Sequence, residues 1–255
     1  MIDVNIFLSR WPFRRLPQDE PEALVRKLRA QGVEQAWAGS FEALLHEDLA
    51  AVNTRLVETC RQYGDGLLVP FGAVNPRLPG WREDLNRCQE DHGMPGVRLH
   101  PDYHGYALDD PIFQELLEAA AERKLIVQVS LRMEDARTQH PALRLAPVDA
   151  TPIAALLPQV PRLRLILLNA LGDVRGVMLD RLVAAGVSFD IAMLEGVGGI
   201  ERFLAQYGAD RLLFGSYAPL FYHEAATLKL RESALEPNQR EAIVSGNARR
   251  LLDRR

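Results

Sequence analysis

The strongest constraint on this chain is a rhythm. Short β-rich runs alternate with amphipathic helical stretches from one end to the other. The strand candidates are 2–8, 34–40, 67–75, 96–100, 125–131, 163–169, 187–194 and 211–216, and helical periodicity follows each. The clearest helix opens at Asp110-Pro111, a capping carboxylate followed by proline at the first helical position. Phe113, Leu116, Leu117 and Ala120 then recur at helical spacing. Eight such units in 255 residues match the size and rhythm of an α/β fold of one kind, a single (β/α)8 TIM barrel. A doubly wound open sheet usually needs fewer units. No linker, low-complexity stretch or charge run divides the chain, so residues 1–255 read as one barrel domain.

Strand parity then says what faces inward, because alternate residues point to opposite faces. Ile2, Val4, Ile6 and Leu8 suit the helix-facing side, which leaves Asp3, Asn5 and Phe7 inside. Val97 and Leu99 face the helices, while Arg98 and His100 point in. The same rule turns Gln128 and Ser130 inward, sets Asn75 and Asn169 at strand ends, and puts Asp190 inside the seventh strand. Barrel active sites form at the C-terminal ends of the strands, so these polar groups should converge on one pocket. An unpaired guanidinium is too costly to bury. Arg98 is therefore expected to pair with Asp3 or Asp190.

Composition narrows the function classes. A formal net charge of −4 gives no electrostatic footprint for nucleic acid. No apolar run is long enough to span a membrane. Only Cys60 and Cys88 are present, which fits a reducing compartment and neither a disulfide framework nor zinc-ligand spacing. Met1 runs straight into a strand pattern with no signal-peptide profile, so the expected location is cytoplasmic. The basic ending Ala248–Arg255 reads as a last helix with cations at its negative end.

The run Gly96-Val97-Arg98-Leu99-His100-Pro101-Asp102-Tyr103-His104-Gly105-Tyr106, followed by Leu108-Asp109-Asp110-Pro111, resembles the fourth-strand region of amidohydrolase-related proteins. These are metal-dependent TIM-barrel hydrolases and decarboxylases of the aminocarboxymuconate semialdehyde decarboxylase type. Phe189-Asp190-Ile191-Ala192, Asp210-Arg211-Leu212-Leu213-Phe214-Gly215-Ser216 and Ser245-Gly246-Asn247-Ala248-Arg249-Arg250-Leu251-Leu252 are similar to the family as well. The resemblance implies a divalent metal such as zinc, held by His-x-His on strand one, a His after strands five and six, and an Asp after strand eight. At those positions stand Asn5-Ile6-Phe7, Ser130, Asn169 and Tyr217. None offers the imidazole, carboxylate or thiolate that a catalytic ion needs. A degenerate metal site with no cofactor is the expectation. Asn5 and Asn169 both donate and accept, and they suit a hydrogen-bonding floor in place of a ligand shell.

For chemistry, His100 is the candidate catalytic acid/base, since it faces inward at a strand end. Asn5, Asn75, Arg98, His104, Ser130, His140, Asn169, Asp190, Gly198 and Tyr217 are the candidate substrate-binding residues. His140 lies in a long loop after strand five that reads as a lid over the mouth. The spacing of His100, His104 and His140 gives no support to a rebuilt metal site, and that alternative stays open. The Gly196–Gly199 turn opens a helix and suits a small anion held between it and His100. The first reading is therefore hydrolysis or decarboxylation of a small polar or carboxylated molecule. The second is a non-catalytic barrel that senses a ligand or serves assembly. A small-molecule ligand is the expected partner, with nucleic acid and membrane excluded and a homo-oligomer left open.

Overall fold

A computed structural model of the protein describes residues 1–253. Strands β1 (Ile2–Leu8), β2 (Gln35–Ser40) and β3 (Leu68–Pro70) pair in that order. Strands β4 (Gly72–Ala73), β5 (Gly96–Leu99), β6 (Ile126–Ser130), β7 (Arg164–Leu168), β8 (Ser188–Asp190) and β9 (Leu212–Leu213) follow, and every pairing is parallel. β3 and β4 are one barrel strand interrupted at Phe71, whose amide still donates to the Ala38 carbonyl at 2.8 Å. The ring closes between its first and last strands. Val4 N donates to Phe214 O at 2.9 Å, and Tyr217 N donates to Asn5 O at 2.7 Å. The expected (β/α)8 closure is thus present, with the strand interiors as parity placed them.

Helices form the outer layer. Those of the first half are α1 (Pro21–Ala30), α2 (Leu49–Gly64), α3 (Trp81–Glu90), the short α4 (Pro101–His104) and α5 (Pro111–Glu122). In α5 the Asp110 carboxylate accepts from Ile112 N at 3.1 Å, and all four stripe residues are buried. They pack against Val97, Leu99, Val127 and Val129 on the outward faces of β5 and β6. One unit departs from the rhythm. After β6, residues 131–152 run irregularly before the single turn of α6 (Ile153–Leu156). Pro141, Pro147 and Pro152 fall in or beside this segment, and each removes a backbone donor that a helix would need. The chain then forms α7 (Gly176–Ala184), α8 (Gly199–Tyr207) and α9 (His223–Glu232).

The barrel floor is apolar. Trp37 and Phe71 stack at 4.8 Å beside Ile126, Ile166 and Leu213. After α10 (Pro237–Glu241) and a π-helical turn, α11 (Asn247–Asp253) lies under this floor. Its Asn247 donates to the Leu212 carbonyl at 2.6 Å, and Ala248, Leu251 and Leu252 pack upward. Arg249 and Arg250 pair with Glu34 and Asp210. Arg254 and Arg255, the rest of the basic ending, lie outside the described residues. No described helix is long and apolar enough to cross a membrane.

Candidate functional site

Arg98 is the centre of the barrel interior, fully buried and held by four hydrogen bonds. Its Nε donates to Gln128 Oε1 at 2.8 Å, and Nη1 donates to the Ile6 carbonyl at 2.7 Å. Nη2 reaches the Val4 and Trp37 carbonyls at 3.2 and 3.0 Å. Burial pulls the guanidinium down to about 9, against the raising fields of Asp190 and Asp3. The expected ion pair with Asp3 or Asp190 is corrected here, because among the described residues Arg98 makes none. A register shift in β1 between Asp3 and Ile6 accompanies the alternative. The Val4 carbonyl accepts from both Arg98 and Gln128 Nε2 rather than serving only the sheet. Gly39 makes room, since a Cβ there would sit 2.8 Å from Nη1.

Next to this cation lies a carboxylate–amide network. Asn5 Nδ2 donates to Asn169 Oδ1 at 2.9 Å and to Asp190 Oδ2 at 2.8 Å. Asn169 N donates to Asp190 Oδ1 at 2.8 Å. Asn169 adopts a left-handed backbone (φ 57°), a region that asparagine tolerates better than most residues. Asp3 Oδ1 accepts from the amides of Asn5 and Ser216. Burial raises both Asp3 and Asp190 to about 6. Asn5, Asn169 and Asp190 thus meet as the sequence placed them and make the hydrogen-bonded floor. Parity reasoning missed His223, the first residue of α9. It is buried, with Nε2 3.7 Å from Asp3 Oδ2, and neither ring nitrogen has a hydrogen-bond partner. Only the fold could bring it under β1.

Above that floor the mouth is packed with rings. Phe7 and Tyr217 are both fully buried. Phe7 stacks on Phe41 at 4.6 Å with 8° between planes, and the edge of Tyr217 meets it at 5.7 Å. Trp11 covers Phe41 at 5.0 Å. The Arg98 guanidinium lies 4.5 Å from the Phe7 centroid, a cation–π contact from below. Tyr217 OH donates to the Met133 carbonyl at 2.6 Å, and Ser130 Oγ donates to Met133 Sδ at 3.3 Å. Met133 belongs to the long loop after β6, so this loop does lie over the mouth. Arg14 on the β1 side pairs with Glu134 at 2.5 Å.

The histidines divide by depth. His100 is 1% exposed, 5.8 Å from Phe7 and 5.9 Å from His104, with Nδ1 unpartnered. Burial, then His104 and Arg98, hold its pKa well below the usual 6.5. The candidate acid/base is therefore a neutral ring at neutral pH. In an NMR titration of histidine-labelled protein, His100 should show no midpoint near 6.5. A resolved step at neutral pH would reverse this assignment. His104 Nε2 lies 2.9 Å from the Ala43 carbonyl, and burial lowers it too. His140 is exposed on the outer side of the lid, stacked on Phe13 at 5.5 Å. It does not join His100 and His104.

Two other expected residues also lie apart. Asn75 closes a local turn, accepting from Arg77 N at 3.0 Å. Gly198 (φ 67°) belongs to a turn that lines a cavity between α7 and α8. That cavity includes none of the mouth residues, so the anion site between His100 and this turn is not formed. Half-buried Asp102, pushed up to about 7 by burial, lines a cavity of about 210 Å3 under the lid with Arg132 and Glu134.

The fold is shared with solved decarboxylases. A 2,6-dihydroxybenzoate decarboxylase complexed with 2,6-dihydroxybenzoate is 18% identical, with a TM-score of 0.73 over 99% of each chain. A dihydroxybenzoic acid decarboxylase from Polaromonas sp., with bound manganese and the inhibitor 2-nitroresorcinol, is 16% identical. Its TM-score is 0.74 over 99% of this chain and 96% of that one. A 5-carboxyvanillate decarboxylase from Novosphingobium aromaticivorans, also with manganese, is 14% identical at a TM-score of 0.73. The match covers 91% of this chain and 80% of that one. At these identities the likeness establishes the fold. No curated protein matches the chain by sequence.

The manganese in two of these structures overturns the expectation that such a barrel takes no cofactor. Whether the side chains here suit a metal is a separate matter of donor chemistry. Among the described residues, no group of three or more His, Cys, Asp or Glu side chains gathers to hold an ion. Asn5, Ser130, Asn169 and Tyr217 are hydrogen-bonded to one another, to Asp190, to the Met133 sulfur and to backbone, and Phe7 is packed among rings. They do not fit the usual ligand set of a catalytic divalent ion. The closed parallel barrel, the inward Arg98, His100 and Asp190, and a match to the amidohydrolase family model over residues 10–254 agree, and the chain belongs to the amidohydrolase family.

Proposed function

We propose that this protein is a binding barrel, an amidohydrolase-family chain that takes a carboxylated small molecule without transforming it at the mouth. The observation that carries this reading is the filled mouth. Phe7, Phe41, Trp11 and Tyr217 occupy the space above Asn5 and Asn169 where a substrate would lie. Four of the five Arg98 N–H donors are committed to Gln128 and three carbonyls, and the Phe7 ring covers the buried head, which leaves it little access to a substrate carboxylate. His100, the inward histidine at the end of β5, has an unpartnered Nδ1, and it is desolvated and neutral.

Hydrolysis or decarboxylation is the second reading. It is favoured by the dihydroxybenzoate and carboxyvanillate decarboxylases that share the fold, and by the strand-end position of His100. A carbon dioxide release assay separates the two. With 2,6-dihydroxybenzoate or 5-carboxyvanillate and added manganese, wild type should release no more than His100→Gln. Turnover that disappears in His100→Gln would replace the binding reading with the catalytic one.

A further inference from the structure

The glycine turn that the sequence singles out has a different use. We propose that the groove between α7 and α8 binds a small molecule with an apolar or aromatic body and a carboxylate. This deepens the binding-barrel reading, on which it rests, by assigning the site. The groove encloses about 540 Å3, within the range of small-molecule sites. Its walls are apolar where Leu171, Val174, Leu179 and Phe203 line it. Its charged lining is Arg175, Arg202 and Glu195, an excess of one positive charge.

The two arginines are not equivalent. Arg202 is seated by the turn, since its Nη1 donates to the Val197 carbonyl. Gly196 (φ 88°) lies so close that a Cβ would be 3.1 Å from Nη2. The absent side chain leaves the planar head against the turn at the edge of the cavity. Arg175 precedes α7, is exposed, and has no hydrogen bond or ion pair among the described residues. One guanidinium at the start of α7 and one on α8, above an apolar wall, match a carboxylate on a hydrophobic body. A carboxylate accepts paired N–H bonds in the plane of an arginine head, which a neutral hydroxyl cannot do as well. Glu195 on the same lining disfavours a second negative charge, so a monocarboxylate fits better than a dicarboxylate or a phosphate.

The test is calorimetric titration of the full chain with phenylbutyrate, with phenylbutanol as the neutral match. Phenylbutyrate should bind saturably, and Arg175→Met and Arg202→Met should each weaken it about tenfold. Gly196→Ala, which crowds Arg202, should weaken it as well, and Leu179→Trp should fill the groove and abolish binding. Circular dichroism would verify that each variant is folded. The exposed arginine variants keep the test decisive if Leu179→Trp misfolds. Equal affinity for the alcohol, or binding indifferent to both arginines, would overturn the proposal. So would a concentration-dependent dimer broken by Leu179→Trp, which would give the groove to a second copy of the chain. Turnover at the mouth would defeat the binding-barrel reading while leaving these titrations unchanged. Loss of arginine dependence would remove the groove while leaving the filled mouth as it is.

Discussion

Arg98→Met is expected to lower the unfolding free energy by about 3–5 kcal/mol, because it orphans several buried acceptors at about 1–3 kcal/mol each. Methionine roughly matches the length of the arginine stem, so lost volume is a small part of the effect. The larger part is electrostatic. The Ile6 and Trp37 carbonyls and the Gln128 amide oxygen would lose the Arg98 donor inside the barrel, while the Val4 carbonyl would keep only Gln128 Nε2. A buried polar group left without a partner costs about 1–3 kcal/mol. Asp3 and Asp190, already raised to about 6, would also lose a stabilising cation and rise further. Urea unfolding followed by tryptophan fluorescence would measure the change. A loss under about 1 kcal/mol would show that water enters the barrel and satisfies those carbonyls. Gly39→Val supplies an independent check, because its side chain would push against the Arg98 head without removing the charge.

Much of the interior was legible because strand alternation has a period of two and cannot drift. Arg98, Gln128, Asn5 and Asp190 sit where that rule sends them. Their partners were not legible. The rule treats β1 as regular, whereas its register shift accompanies a Val4 carbonyl that serves Arg98 and Gln128. The filled mouth was half legible. Phe7 and Tyr217 could be placed, but Trp11 and Met133 come from loops and Phe41 from a short 3-10 turn after β2, and none of these leaves a periodic signal in the sequence. The glycine turn shows the opposite failure. It was read as an approach for an anion at the mouth, and the fold puts it elsewhere. The turn lines a cavity on the helical layer, away from the mouth.

Between pH 7 and pH 4, wild type should lose about 3 kcal/mol of stability that the His223→Gln variant does not lose. The cause is burial of an imidazole without a hydrogen bond. His223 is 2% exposed and its pKa is lowered from 6.5 to about 4, chiefly by desolvation. The unfolded chain therefore takes a proton near pH 6.5, and the native state resists it until about pH 4. The unfolded state binds more protons through that window, so stability falls as the pH falls, and the loss is complete near the lower value. The groups around the ring act in both directions. Glu224 raises the pKa and Lys27 lowers it, and Phe214 packs against the ring at 5.4 Å. Asp3, at 3.7 Å, carries the opposite linkage. Its own pKa is raised to about 6, so its contribution weakens as the pH rises from the ordinary carboxylate range. That term is present in both proteins and cancels to first order in the difference. Urea unfolding of wild type and variant at several pH values measures it. If the difference instead grows in favour of wild type toward acid, Asp3 and His223 share the proton as an ion pair. The folded histidine pKa would then lie above 6.5, and the neutral, desolvated ring described here would be wrong.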